Sequence, residues 1–167
     1  MNKITNDNIK LLDNHLIVVG KLIVNAAACD AILFSTFKII SNCSHKIAIA
    51  IYYSSESLQP KRTLINRITK ANNDKDEEKL VEKIIKSLQK ANNQRNELSH
   101  ALLKIHDQNV FAHNLRREEN QKKQLTEKYL ASLVKNSHQA VLQANELYNQ
   151  LCQKRGIPPT VDLEYDQ

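Results

Sequence analysis

Glycine is nearly absent from this chain, and its scarcity limits the folds that the chain can adopt. The 167 residues include two glycines, Gly20 and Gly156, and three prolines. A β-sandwich or β-barrel needs many turn positions with positive φ, which glycine usually fills. The loops that bind dinucleotides or nucleoside triphosphates also need clustered glycines. The sequence therefore predicts an all-α fold, a bundle of about five helices, and excludes those two nucleotide-binding motifs.

The length suits one domain with its own hydrophobic core. We expect a single helical domain over residues 1–156 and a flexible tail over 157–167. Gly156 followed by Pro158 and Pro159 is a typical signal for the end of a helix. The charged residues of the tail are all acidic, namely Asp162, Glu164 and Asp166.

Apolar residues recur at helical spacing along most of the chain. The predicted helices run from near Thr5 to Ile40, over 45–54, from Ser57 or Gln59 to Lys70, from Asp74 onwards, and over 115–154. The first helix is long and central, and it is apolar nearly all round between Leu16 and Ala28. That pattern predicts neighbours on several of its sides. Residues 102–113 are expected to form a short hairpin.

The fourth helix carries two sets of residues at heptad spacing, and all of them are apolar except Arg95. The two sets are Val81, Leu88, Arg95 and Leu102, and Ile84, Ala91, Leu98 and Ile105. A guanidinium at a position whose heptad neighbours are apolar costs several kcal/mol unless it is paired or opens onto a cleft. Arg95 is therefore a candidate functional residue.

The charge balance is basic, with a formal net charge of +6. The basic excess lies between residues 57 and 156, where it would attract nucleic acid, another polyanion or an acidic partner. The alternative is that the charge serves solubility alone.

The cysteines and the first helix indicate in which cellular compartment the protein resides. Cys29, Cys43 and Cys152 form no CxxC pair and are odd in number, so we expect free thiols in a reducing cytoplasm. The apolar stretch from Leu16 to Ile40 is interrupted by Lys21 and Asp30, which a bilayer span tolerates poorly. We predict a core helix, a cytoplasmic location and no membrane partner.

The most informative segment is Arg95-Asn96-Glu97-Leu98-Ser99-His100. At about 100° per residue, Arg95, Asn96, Ser99 and His100 share one side of a helix. The Asn96 amide lies four residues before His100, where it could orient the imidazole. A titratable base beside a fixed cation supplies the components that phosphodiester cleavage requires.

This segment resembles the R-[polar]-x(3–5)-H signature of the HEPN superfamily, and the helical layout over residues 6–154 agrees with it. The resemblance implies a small helical domain that is commonly a homodimer, and often a metal-independent endoribonuclease in a toxin or defence role. It implies that Arg95 and His100 are the catalytic pair, supported by Asn96, with two motifs meeting in one composite cleft. The implied reaction is an RNase-A-like transesterification. Ala101 and Leu102 follow His100, where the superfamily often has glycine or, two residues on, tyrosine.

Further expectations concern what the site binds. Lys86, Lys90 and Ser99 are candidate RNA-binding residues, although the lysines equally fit a solvated helix face. We expect RNA, a second copy of the chain, and an antitoxin or regulatory protein as partners, with no cofactor. No metal site is predicted, because the spacings of His100, His106 and His113 match no compact ligand pattern. The alternative function is a catalytically inactive HEPN-like module that binds a protein partner or a nucleotide.

Overall fold

A computed structural model describes residues 6–99, 101–106, 109–114 and 122–160. These residues form, in order, α1 (Asn6–Ser41), α2 (His45–Tyr52), α3 (Leu58–Ala71), α4 (Lys75–Ser99), β1 (Ala101–His106), β2 (Asn109–Asn114), β3 (Lys122–Gln124) and α5 (Glu127–Arg155). The predicted all-α fold, with a long first helix and a long last helix, is confirmed. A small sheet is added to the five helices.

The sheet has three antiparallel strands in the order β1-β2-β3. The hairpin predicted over residues 102–113 is present as β1 and β2, which pair from Ala101 with Asn114 to His106 with Asn109. Leu102 and Ile105 belong to β1, so the heptad pattern of α4 does not continue through them.

The predicted start of the last helix, at residue 115, is wrong. Residues 122–124 are a strand because they pair with β2, and the Leu125 amide donates to the Val110 carbonyl at 2.7 Å. Thr126 then caps α5, since its hydroxyl oxygen accepts a hydrogen bond from the Tyr129 amide at 3.1 Å. The helix therefore begins at Glu127.

The end of α5 agrees with the sequence-based expectation. Gly156 has a φ of +63°, and the Ile157 amide donates to the Cys152 carbonyl at 3.0 Å. This is the glycine-terminated capping motif in which a left-handed residue follows the last helical turn. Residues 157–160 of the predicted tail lack regular secondary structure, and residues 161–167 lie outside the described residues.

The chain divides into two compact units, and each division falls inside a helix. Unit 1 contains the residues up to 26 and residues 90–139, and unit 2 contains residues 27–89 and those from 140 onwards. The single-domain assignment stays a prediction.

The core of unit 1 combines side chains from α1, α4, the sheet and α5. Its buried apolar members are Val18, Leu22, Leu98, Val110, Ala112, Leu125, Leu130 and Leu133. Full burial of one such Leu or Val contributes about 2 kcal/mol. A buried hydrogen bond of 3.1 Å from Asn25 Nδ2 to Ser137 Oγ joins α1 to α5.

Unit 2 holds a buried lysine among aromatic rings. The Lys61 Nζ atom lies 2.9 Å from Asp30 Oδ1 and 4.3 Å from the centre of the Tyr52 ring. The Tyr52 hydroxyl donates to the same Asp30 oxygen at 2.9 Å. Burial, together with the Asp30 carboxylate, raises the pKa of Tyr52, so that it remains a donor.

The first turn of α4 and the last turn of α5 are joined by ion pairs in unit 2. The Oε2 atom of the buried Glu77 carboxylate lies 2.5 Å from Arg155 Nη2, and its Oε1 atom accepts a hydrogen bond from Asn72 Nδ2 at 3.1 Å. Lys154 Nζ lies 2.6 Å from Asp74 Oδ1. Acidic residues at a helix N-terminus and basic residues at a C-terminus also complement the helix dipoles.

Asp74→Asn is expected to make the free energy of unfolding depend less on pH between pH 4 and pH 2. The hydrogen bond from Lys154, with those from the Glu77 and Asp76 amides, lowers the pKa of Asp74 to about 2. An unfolded aspartate titrates near pH 4, so this stabilisation is complete above about pH 4 and is lost as the pH falls towards 2. Thermal unfolding followed by circular dichroism from pH 2 to pH 6 measures it.

The control for that experiment is Asp76→Asn, which removes a neighbouring exposed carboxylate. Asp76 forms only a 3.5 Å pair with Lys79, and both side chains are well exposed. We expect this variant to keep the wild-type dependence between pH 4 and pH 2. An unchanged acid slope in Asp74→Asn would contradict the assignment.

α1 is long enough and apolar enough to cross a membrane. The core helix of a soluble protein can have the same length and composition. One side of α1 in unit 1 is buried, with Val18 and Leu22 in the core. The other side exposes apolar residues. The cytoplasmic location therefore stays a prediction.

Candidate functional site

The candidate motif lies at the C-terminal end of α4, in unit 1. Arg95 to Ser99 form the last turn of the helix, which ends at Ser99. His100 lies outside the described residues. The helix places Ser99 one turn beyond Arg95 on nearly the same line, and Ser99 is exposed.

Arg95 is held by its neighbour. Its Nε and Nη2 atoms both donate to Asn96 Oδ1, at 3.1 and 2.7 Å. Arg95 is half-buried, and it forms no ion pair with any residue that the structure describes. A guanidinium has five N–H donors, so most of its donors are available to an anion.

This geometry adds a role for Asn96. The sequence suggested that its amide orients the His100 imidazole, a contact that lies outside the described residues. The structure shows the Asn96 side-chain oxygen on the Arg95 guanidinium, so Asn96 orients the cation. The alternative in which Arg95 is neutralised by an acidic side chain is not seen within the described parts of the chain.

A second polar contact at the end of α4 was not predicted. The Tyr129 hydroxyl donates to Glu97 Oε1 at 2.7 Å and so joins the last turn of α4 to the first turn of α5. The residues are separated by 32 positions in the chain. No local pattern identifies such a partner.

Tyr129→Phe is expected to lower the free energy of unfolding by about 1 kcal/mol, because it removes a part-buried hydrogen bond to a carboxylate. The midpoint of thermal unfolding should fall by about 2–4 °C. Tyr53→Phe, at the exposed tyrosine that follows α2, is the control and should change neither quantity. Equal stability of the wild type and Tyr129→Phe would show that the contact contributes nothing.

The three candidate RNA-binding residues are placed differently. Lys86 lies in unit 2, and its Nζ atom pairs with Glu82 Oε1 at 2.7 Å on an exposed surface. Lys90 lies in unit 1 and is exposed, but it is about 140° around α4 from Arg95. Of the three, Ser99 alone shares the Arg95 side of the helix.

Unit 1 also contains an open groove of about 550 Å³ between α1 and α5. It is lined by Asn14, Ile17, Val18, Lys21, Glu127, Leu130, Ala131, Val134, Lys135 and His138. Its floor is apolar, and its polar lining includes two lysines. None of the predicted site residues lines it, and the sequence did not indicate it.

Comparison with models of protein families, with curated proteins and with solved structures finds no match for this chain. Within the described ranges, no three or more His, Cys, Asp or Glu side chains form a group that could hold a metal ion. The resemblance to the HEPN superfamily therefore depends on the six-residue motif and the helical layout.

Proposed function

We propose that this chain is an endoribonuclease of the HEPN type, which cleaves RNA by attack of the ribose 2′-hydroxyl. The observation that carries the proposal is the Arg95 guanidinium, which is oriented by Asn96 and has no acidic partner among the described residues. A half-buried cation with available donors is suited to bind a phosphate. It lies within five residues of a histidine in the sequence.

The proposed reaction divides two tasks between Arg95 and His100. His100 takes the proton of the 2′-hydroxyl, whose oxygen attacks the adjacent phosphorus. The bond from phosphorus to the 5′-oxygen of the next nucleotide breaks, and that oxygen leaves with the proton that His100 carries. Arg95 stabilises the additional negative charge on the phosphorane. The products are a 2′,3′-cyclic phosphate and a 5′-hydroxyl end. Because Asn96 holds the guanidinium before substrate arrives, little reorganisation is required during the reaction.

The proposal includes the partners of this reaction. RNA is the substrate, and the net charge of +6 favours its approach. Two copies of the chain form a composite site, so that each motif contributes to one cleft. A toxin or defence role in the cytoplasm would require an antitoxin or another regulatory protein to restrain the enzyme.

The substrate experiment uses a short RNA and the same sequence with 2′-O-methyl groups throughout. We expect the RNA to be cleaved to products with 2′,3′-cyclic phosphate ends, and the methylated strand to remain intact. Cleavage of both strands, or products with 3′-hydroxyl and 5′-phosphate ends, would contradict attack by the 2′-hydroxyl.

The second candidate is a catalytically inactive HEPN-like module that binds a protein partner or a nucleotide. The groove between α1 and α5 favours it, because an apolar floor with a few polar groups is typical of binding sites. If RNA remained intact while substitution of Val134 by Asp abolished binding of a partner, this candidate would replace the enzyme.

A further inference from the structure

The side of α4 that carries Arg95 changes character in the last two turns of the helix. At about 100° per residue, Val81, Ile85 and Leu88 lie within about 80° of Arg95 around the helix axis, and all three are buried. The residues that continue this side of the helix after Leu88 are Asn92, Arg95, Asn96 and Ser99, which we call the polar end of α4. They are half-buried or exposed. A buried apolar side of α4 therefore becomes a polar surface that solvent reaches.

Asn92 is the one residue of the polar end to which no role has been assigned. Residues three and four positions apart on a helix are neighbours, so Asn92 adjoins both Arg95 and Asn96. Its Cα atom precedes that of Arg95 by about 4.5 Å along the helix axis. All three residues belong to unit 1. A molecule that contacts the Arg95 guanidinium is thus placed beside the Asn92 side chain.

The amide of Asn92 is available to a ligand. It forms no hydrogen bond with any residue that the structure describes. Neither its oxygen nor its nitrogen is a buried atom that lacks a partner, so solvent reaches both of them. Asn96 differs in this respect, because its oxygen already accepts two hydrogen bonds from Arg95. A free amide offers one acceptor and two donors, which are the groups that a base edge requires.

We propose that Asn92 binds the base next to the phosphate that Arg95 holds, and that this base is adenine. The inference rests on the proposed function, since it concerns the RNA bound at that same site. An unpaired base of single-stranded RNA exposes both its Watson–Crick and its Hoogsteen edges. An asparagine amide matches adenine, because its oxygen accepts from the N6 amino group while its nitrogen donates to N7.

The other residues of the polar end do not supply this selectivity. Contacts to phosphate fix the position of a nucleic acid but carry no direct sequence information, which applies to Arg95. The Asn96 oxygen is held by the guanidinium. The hydroxyl of Ser99 both donates and accepts, so it suits any base. Asn92 is therefore the specificity-determining residue of this surface.

The first test is cleavage of an RNA pool of random sequence, followed by sequencing of the product ends. We expect the wild type to cleave beside adenine about tenfold more often than beside other bases, as a bidentate contact to a base permits. Asn92→Ala should lose this preference and remain folded, because alanine is the best helix former. Asn93→Ala is the matched control and should keep it, since Asn93 is exposed and lies about 160° around α4 from Arg95.

Asn92→Asp tests the choice of base. The aspartate carboxylate only accepts hydrogen bonds, so it matches the N4 amino group of cytosine and is repelled by N7 of adenine. The preferred cleavage site should move from adenine to cytosine. An unchanged distribution of cleavage sites in both Asn92 variants would overturn the inference and leave the proposed enzyme standing. A wild-type preference for another base would contradict adenine as the base that Asn92 binds.

The second test measures binding of RNA that cannot be cleaved, so it does not depend on the proposed reaction. The probes are fluorescently labelled 2′-O-methyl oligoadenylate and oligocytidylate, and fluorescence anisotropy of each with the full chain gives the dissociation constant. We expect the wild type to bind oligoadenylate about tenfold more tightly, and Asn92→Asp to reverse the order.

The two tests together distinguish failure of the inference from failure of the proposed function. Tighter binding of oligoadenylate, reversed in Asn92→Asp, by a protein that leaves RNA intact would support base recognition by Asn92 and contradict the enzyme. Equal affinity of the wild type for the two probes would overturn the inference, whether or not RNA is cleaved.

Discussion

Arg95→Ala is expected to slow RNA cleavage by about 10²–10³-fold, which is the usual effect of removing one group that stabilises transition-state charge. The loss should appear in kcat, because the additional charge on the phosphorane forms only in the transition state. Arg95 lies in the last turn of α4 and forms no ion pair within the described residues, so the helix should remain folded. Single-turnover cleavage and far-ultraviolet circular dichroism measure the two properties.

Two variants sharpen this experiment. Arg95→Lys keeps the charge but cannot reproduce the pair of hydrogen bonds that Nε and Nη2 make to Asn96, so we expect it to recover only part of the rate. Lys83→Ala removes an exposed cation of the same helix that is not a candidate binding residue, and it should change the rate little. Wild-type cleavage by Arg95→Ala, or loss of its helical signal, would contradict the role assigned to Arg95.

Arg155→Ala is expected to destabilise the protein by about 3 kcal/mol, because it leaves the buried Glu77 carboxylate without its cation. Glu77 is 1% exposed, and Arg155 contacts it through both Nε, at 2.6 Å, and Nη2. The midpoint of thermal unfolding should fall by about 6–12 °C. Urea unfolding monitored by circular dichroism gives the free energy directly.

The matched control is Lys154→Ala, at the preceding residue of α5. Its pair with Asp74 is more exposed than that of Arg155 with Glu77, so its loss should matter much less. Glu77→Gln in the Arg155→Ala background should recover part of the stability, since it removes the buried charge. Equal losses in Arg155→Ala and Lys154→Ala would show that burial of Glu77 does not set the effect.

The helices could be predicted because the signals that specify them lie within a few residues of each other in the sequence. Apolar spacing, the prolines and Gly156 give the extents of α1, α3 and the end of α5 to within a few residues. The strand at Lys122–Gln124 was not predictable in this way. Its residues are polar and show no alternation, and it is a strand because it pairs with β2.

Around the candidate site, too, the sequence predicted local features and missed contacts between distant parts of the chain. The motif predicted that Arg95 would lie late in a long helix, and it does. The hydrogen bond between Tyr129 and Glu97 depends on packing between distant parts of the chain and leaves no signal in the motif. The apolar character of α1 predicted neighbours on several sides, whereas the protomer leaves Leu16 67% exposed. A sequence pattern does not show which side of an apolar helix its neighbours cover.

The most direct test of the proposed function compares RNA cleavage by the purified wild-type protein and by His100→Ala, with EDTA present throughout. The two proteins should be prepared identically and tested on total RNA and on transfer RNA. Cleavage by the wild type, lost in His100→Ala with the helical signal unchanged, is the predicted result. Cleavage that persists equally in His100→Ala, or RNA left intact by the wild type, would contradict a metal-independent ribonuclease centred on Arg95 and His100.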